Sequence, residues 1–365
     1  MEYRRIGFTI LPKCSLIESR RLQLNVTKMV TERYSAAVLP AAQAPIVVTS
    51  LGCRPPGAGE VLVRMEACGL CHSDLFIAGL EKLAAAPVTL GHEGIGRVEA
   101  VGPGVRDWAV GDRVAITYLG TTCGACEWCL SGRRRFCPDQ TNFGYTLPGA
   151  LAQYVAAPAS ALVRAPDGIS AEQAAPICCA GWTAMGALRE AGLRAGESVA
   201  LFGLGGLGHL ALEIARVQGL RVAAVDVSEK KLEQARAAGA EIALSGSEPG
   251  RVLQKEHGGV DAAIVFTAAP AAIPQAFRAV KRNGTVVLVG ISRNSFELPL
   301  VETVTRGITV RGSYLGARQD LEEAFQLLQT GAIRPHIHTH VLDEVPSLLE
   351  QMRRGALLGR AVISF

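Results

Sequence analysis

Ser198-Val199-Ala200-Leu201-Phe202 is an apolar run that ends directly in Gly203-Leu204-Gly205-Gly206-Leu207-Gly208, and the segment His209 to Gln218 that follows has a helical pattern. A lone G-x-G-x-x-G says little, but between a strand and a helix it reads as a dinucleotide-binding turn. Gly203 permits the tight turn, Gly205 and its neighbour Gly206 let backbone approach a pyrophosphate, and Gly208 lets helix and strand pack closely. The helix N-terminus adds N–H groups and positive partial charge. Eighteen residues past Gly208, a second strand ends at Asp226. A carboxylate there accepts both ribose hydroxyls of NAD and repels the extra phosphate of NADP, so NAD is the expected cofactor. The competing reading is a glycine-rich turn followed by an incidental acid.

Working outward, strands are expected at Ser198 to Phe202, Arg221 to Asp226, Ile242 to Leu244, Ala262 to Phe266, Thr285 to Val289 and Ile308 to Arg311, with helices between them. That alternation is the pattern of a doubly wound parallel sheet. Upstream, from Tyr34 to about Val114, short β-rich runs (Ser35 to Val38, Pro45 to Val48, Glu60 to Met65) alternate with turn residues such as Pro55-Pro56-Gly57 and read as an all-β unit. Downstream, Asp320 to Gln329 is expected to be helical and Ala361 to Phe365 to be a closing strand that returns to the first unit. No fixed-period repeat or low-complexity segment interrupts this plan.

With 365 residues, 49% of them hydrophobic, the chain is long enough for two cores. No window has the ~18 consecutive apolar residues of a membrane span, so no membrane partner is expected. A net charge of +4, without a basic tract interleaved with aromatics, argues against nucleic acid. A small-molecule enzyme fits the composition better. The first 28 residues carry Arg4, Arg5, Lys13, Arg20, Arg21 and Lys28 against Glu2 and Glu18. Residues 1–30 are therefore expected to be a disordered extension, or the product of an upstream start with Met29 as the initiator.

Four of the ten cysteines fall within fifteen residues as Cys123-x2-Cys126-x2-Cys129-x7-Cys137. In a large chain rich in βαβ units, clustered thiols more often bind metal than pair, which points to a reducing, cytoplasmic setting. Four thiolates on one loop suit a closed tetrahedral zinc site, with disulfides or an iron–sulfur cluster as the alternatives. Arg133-Arg134-Arg135 lies between the third and fourth cysteines and is expected either to offset thiolate charge or to form a solvated basic turn. Cys71, His92 and Cys179 lie in separate segments that spacing alone cannot bring together. Taken singly, Cys68 and Cys178 read as small core residues.

CGLCHSDL at 68–75, GHEGIG at 91–96, GDRV at 111–114, CGACEWCLSG at 123–132 followed by FCP, APICCAG at 175–181 and GLGGLG at 203–208 together resemble the zinc-containing medium-chain alcohol dehydrogenases, particularly the bacterial primary-alcohol, propanol-preferring type. The likeness covers residues 31 to 365. It implies an α/β chain with a GroES-like β-barrel catalytic domain at 31–180 and 318–365, and a Rossmann NAD-binding domain at 181–317. It implies two Zn2+ per chain: a catalytic ion on Cys71, His92 and Cys179, and a structural one on Cys123, Cys126, Cys129 and Cys137. Asp74 would accept from the far nitrogen of His92, and Glu93 would lie behind the metal. His72 and Arg360 fall where the family contacts the pyrophosphate, Lys231 where it contacts the adenosine ribose, and Thr183 near the nicotinamide. Cys179 separates the chain from the polyol dehydrogenase branch, which commonly carries glutamate there, and both zinc sets separate it from the metal-free quinone reductases.

The implied reaction is reversible hydride transfer from a primary or secondary alcohol to NAD, giving an aldehyde or ketone, with Ser73 taking the hydroxyl proton. The alternatives are a reductase of the same type acting on aldehydes, aromatic ones included, and a non-catalytic zinc- and nucleotide-binding protein. Phe76, Tyr118, Trp182 and Leu315 are the pocket candidates, and they suit an alkyl or benzylic chain. A homo-oligomer, dimer or tetramer, is implied. In one respect the chain departs from its pattern: Phe76 stands where close relatives have a histidine that passes the proton onward.

Overall fold

Ser198–Phe202, buried at all five positions, is the middle strand of a six-stranded parallel sheet. Across the sheet the order is Ile242–Leu244, Arg221–Val225, Ser198–Phe202, Val260–Val265, Val280–Leu288 and Thr309–Gly312. The chain thus starts in the centre and winds first to one edge and then to the other, which is the doubly wound arrangement expected. Helices cover both faces, so the inner strands are continuous apolar runs and do not alternate. The fifth strand begins at Val280, five residues ahead of the run expected from Thr285, because Val280 pairs with Val260 beyond a register shift that precedes Ala262. The computed structural model describes residues 32–293, 295–357 and 359–365, and the expectation for residues 1–30 lies outside them.

The other lobe is built on Glu60–Gly69, the longest strand, which pairs antiparallel with Gly94–Val101, Tyr154–Pro158 and the C-terminal strand Arg360–Ser364. Arg113–Ile116 and Val163–Arg164 extend this seven-stranded sheet on one side, and Ile337–His340 adds to it in parallel beyond Arg360–Ser364. A three-stranded sheet of Val47–Gly52, Arg33–Leu39 and Val88–Thr89 lies beside it. The chain therefore leaves a β unit, builds the parallel sheet and comes back, and the closing strand expected at Ala361 to Phe365 is the piece that returns.

An all-β reading of 34 to 114 misses one element, the helix His72–Ala78. Cys71 stands extended at its N-cap, and the Asp74 carboxylate, at the third helical position, accepts from the Cys71 backbone N–H at 2.9 Å. An acid at this position satisfies an orphan donor of the first turn and suits the positive helix end.

The helix Ala180–Ala191 packs against Gly208–Val217 and Arg318–Gln329, and brings the chain after the sixth strand into contact. At Gly186 an added Cβ would meet the carbonyl oxygen of Leu315 and the Gly316 Cα, so only hydrogen fits there. Leu315 holds a positive φ of 54°, and Trp182 Nε1 donates to the Ala317 carbonyl at 2.7 Å. Gly186→Ala is therefore expected to cost about 1–3 kcal/mol through backbone displacement. Gly205→Ala, at a position with open space around it, should change stability by less than about 0.5 kcal/mol. Urea unfolding of the two variants compares them; equal losses would contradict the close approach.

Candidate active site and cysteine cluster

Three separate stretches deliver the central group. Cys71 follows the strand Glu60–Gly69, His92 precedes the strand Gly94–Val101, and Cys179 links the short turn Ala175–Cys178 to the helix Ala180–Ala191. Ligand atoms of Cys71, His92, Glu93 and Cys179 all lie within 4.8 Å of one another, and all four residues are buried. The two sulfurs are 3.9 Å apart. Their hydrogen bond draws the Cys71 thiol well below its ordinary value and pushes Cys179 well above. Burial opposes a charge on His92, but Asp74 and Cys71 outweigh it and hold the imidazole well above its usual value.

This group fits a soft divalent cation. Both ring nitrogens of His92 and Oε2 of Glu93 are buried without a hydrogen-bond partner, a costly condition that a bound ion relieves. Two thiols and an imidazole are a donor set for zinc with one position left open. Asp74 keeps the group in place: its buried carboxylate accepts from the N–H of Cys71 at 2.9 Å and of Gly91 at 3.1 Å. Its Oδ1 stands 3.5 Å from His92 Nδ1, a contact short of a hydrogen bond. Serine 73 sits on the same helix, Ser73 Oγ lying 3.6 Å from the Cys71 sulfur.

Glu93 and Arg360 form a buried ion pair, the guanidinium Nη2 donating to the carboxylate. Burial pushes the Glu93 carboxyl up to about 8 against the pull of Arg360. The same guanidinium lies against Gly206, where a Cβ would collide with it. Arg360 therefore touches both the metal-type cluster and the glycine turn.

At that turn Gly203 has φ 93°, a conformation glycine tolerates. Asp226 faces it: its carboxylate accepts from Leu204 N–H at 2.7 Å and Ser228 N–H at 2.9 Å, with Lys231 Nζ at 3.8 Å. A cavity opens here, lined among others by His72, Gly205, Gly206, His209, Lys231 and Arg360. Thr183 is buried in the first turn of its helix, its N–H donating to the Cys179 carbonyl at 2.8 Å. His209 was not singled out in the sequence. Burial pushes its imidazole down to about 4, and Nδ1 lies 2.9 Å from the Gly205 carbonyl oxygen.

Cys123, Cys126, Cys129 and Cys137 form the second group, again with sulfurs within 4.8 Å of one another. Backbone N–H groups of Ala125 and Cys126 pull the Cys123 thiol down to about 6, which readies it as a thiolate. The donor set fits a closed zinc site. The arginines in this loop are otherwise engaged. Arg133 stacks on Trp128, Arg134 donates to Thr122 at 2.9 Å, and Arg135 pairs with Glu190 at 3.1 Å while covering Phe136. Among the described residues none of the three makes a hydrogen bond or ion pair to these cysteines, and Arg133 and Arg134 are exposed, as a solvated basic turn requires.

Of the pocket candidates, Tyr118 packs its ring edge-on against His92, centroids 5.2 Å apart. Trp182 and Leu315 belong to the buried core, and Phe76 is 44% exposed. A further phenol, Tyr314, packs with Tyr118 against the core that holds Trp182 and Leu315, and burial pushes it up to about 12. No local pattern marks Tyr314, whose surroundings come from segments more than a hundred residues away.

Two family models match the chain: an alcohol dehydrogenase GroES-like domain over residues 57–167, and a zinc-binding dehydrogenase domain over residues 206–330. An alcohol dehydrogenase of Geobacillus stearothermophilus is 43% identical over 312 residues, 84% of this chain and 91% of that protein. Among solved structures, the alcohol dehydrogenase of the archaeon Aeropyrum pernix superposes with a TM-score of 0.84 at 30% identity, covering 91% of this chain and 100% of that one. The acetophenone reductase of Geotrichum candidum, in complex with NAD, does so with a TM-score of 0.81 at 29% identity, covering 92% of this chain and 98% of that one.

Proposed function

This chain belongs to the zinc-containing medium-chain alcohol dehydrogenase family and is a zinc-dependent alcohol dehydrogenase using a nicotinamide cofactor; we propose that it oxidises primary or secondary alcohols reversibly with NAD, on a catalytic zinc held by Cys71, His92 and Cys179. The observation that carries this reading is Arg360, which joins the buried donor cluster through Glu93 to the glycine turn at Gly206. Metal and nucleotide chemistry thereby meet within one guanidinium's reach.

Zinc, when bound, supplies Lewis acidity that favours loss of the alcohol proton, and the nicotinamide supplies a hydride acceptor. The chain's own residues do the rest. Asp74 fixes the Cys71 and Gly91 backbones and with them the sulfur and imidazole donors. Ser73, half-buried beside Cys71, takes the hydroxyl proton. Tyr118 covers His92 and keeps water from the donors. Phe76 cannot carry the proton further, so it passes from Ser73 to water or to His72, the neighbouring residue. Glu93 lies behind the cluster and neutralises Arg360 until an anionic pyrophosphate arrives alongside His72, Lys231 and Gly205.

Residues 31–180 with 318–365 form the catalytic domain in this reading, and 181–317 the nucleotide domain. Cys123, Cys126, Cys129 and Cys137 hold a second, structural zinc. The substrate is a small alcohol or aldehyde. Among the described residues no helix is long and apolar enough to cross a membrane. A homo-oligomer, dimer or tetramer, is supported by exposed Leu300, Val301 and Val304 on the helix Leu300–Arg306.

Metal analysis should give two zinc ions per chain. Cys179→Ser should lose activity yet keep one ion, whereas Cys126→Ser should chiefly lower yield and thermal stability, since a closed site contributes to folding. A single zinc in the wild type would refute the two-site assignment.

NAD preference rests on Asp226. Asp226→Gly should raise KM for NAD about tenfold or more and narrow the gap to NADP, and it should also loosen the turn, because Leu204 and Ser228 lose their acceptor. Steady-state kinetics with both cofactors decide this; a wild type that prefers NADP would overturn the assignment.

Ser73→Ala should nearly abolish alcohol oxidation. Phe76→His should raise kcat most near neutral pH and lose that gain below about pH 6.5, because an exposed imidazole of pKa ~6.5 accepts protons only while unprotonated and a placed base contributes ~100-fold or more. The measurement is kcat from pH 6 to 9 with a solvent isotope effect; full turnover in Ser73→Ala would remove the first step of the relay.

A further inference from the structure

Gln140 lies three residues past the fourth cysteine of the loop, and its side-chain amide is held at every position. Nε2 donates to the carbonyls of Arg135 at 3.1 Å and Cys137 at 3.2 Å. Carbonyl oxygens only accept, so the amide nitrogen must face them and Oε1 must face away. There Oε1 accepts from Asn142 Nδ2 at 3.2 Å and from the Tyr314 hydroxyl at 3.4 Å.

A phenol has one hydrogen to give. With that hydrogen directed at Gln140, the Tyr314 oxygen offers only lone pairs elsewhere. Tyr314 is half-buried and, like Tyr118, whose ring edge lies on His92, packs against the core that holds Trp182 and Leu315. An oriented acceptor thus stands in an aromatic wall next to the buried donor cluster. The Tyr118 hydroxyl has no hydrogen-bond partner among the described residues, so no bond within the chain fixes where its hydrogen points.

We propose that Tyr314, oriented by Gln140, selects alcohols that carry a second hydrogen-bond donor away from the reacting carbon, a hydroxyaryl alcohol being the class that fits an aromatic wall. Substrates bearing only an acceptor at that place leave two sets of lone pairs facing each other and bind worse. Tyr314 is here a specificity residue that touches substrate, and Gln140 a positioning residue that acts through it. The inference rests on the alcohol-oxidation reading above and sharpens its substrate.

The test compares 3- and 4-hydroxybenzyl alcohol with 3- and 4-methoxybenzyl alcohol on the zinc-loaded enzyme. At each ring position the two substituents perturb the benzylic carbon to nearly the same degree, so the hydride step is matched. In the wild type at least one hydroxy compound is expected to exceed its methoxy partner about tenfold in kcat/KM, the difference lying in KM. Tyr314→Phe should bring that ratio below about three. Gln140→Leu, which keeps the phenol and frees its hydrogen, should do so mainly by improving the methoxy substrate. Ratios below about three at both positions in the wild type, or ratios unmoved by either substitution, overturn the proposal. Calorimetric titration of the same four alcohols into the enzyme with its cofactor should give the same ordering in Kd. That measurement judges the wall even if no alcohol is turned over, in which case the oxidation reading is what has failed.

Discussion

The buried guanidinium of Arg360 imposes the constraint that shapes this molecule. A charge out of water must be paired, and removing one partner of such a pair is costly. Arg360 has Glu93 on one side and the glycine turn at Gly206 on the other. The network is only partly satisfied by the chain itself: Arg360 Nε, Glu93 Oε2 and both His92 nitrogens are buried without partners. In the proposed reading, a cation among Cys71, His92 and Cys179 would complete one end, and an anion at Gly205 and Gly206 the other. The two cofactors would then be electrostatic parts of one network.

How this network is placed explains the chain's long detour. Arg360 begins the last strand, which pairs with Glu60–Gly69 and brings the residue back to the cluster beyond that strand. The parallel sheet, inserted between the two halves of the β lobe, presents its first glycine turn to the same point. A fold in which the C-terminal strand stayed with the nucleotide sheet would leave Glu93 buried and unpaired.

What the sequence alone made legible follows the range of the physical signal. The six-stranded sheet and its glycine turn are local patterns, and the expected strands fell within one or two residues except where Val280 extended its strand. The four-cysteine loop is local too, since its ligands span fifteen residues. The set Cys71, His92 and Cys179 is not local; only resemblance assembled it, because no periodicity links a strand end, a loop and a helix start. The helix at His72–Ala78 was missed although its cue, Asp74 three residues past Cys71, was present, because the β-rich text around it set the expectation. The contacts of Arg133, Arg134 and Arg135 were not legible, because their partners Glu190 and Thr122 and the rings of Trp128 and Phe136 are set by packing. Tyr314 and Gln140 are separated by 174 residues, beyond any pattern a single sequence displays.

A common device runs through these places. Polar groups at the candidate sites are committed to the chain: Asp74 accepts from the N–H groups of Cys71 and Gly91, Asp226 accepts from those of Leu204 and Ser228, and Gln140 donates to the carbonyls of Arg135 and Cys137. Such bonds fix a side chain before anything binds, so little further order is required when it does. They also mean that a carboxylate or amide here has two roles that one substitution removes together. The four-cysteine loop extends this at a distance, because Gln140, held by the loop's own carbonyls, reaches the Tyr314 hydroxyl. Under the proposal above, a loop that holds shape would thereby take a hand in what the enzyme accepts.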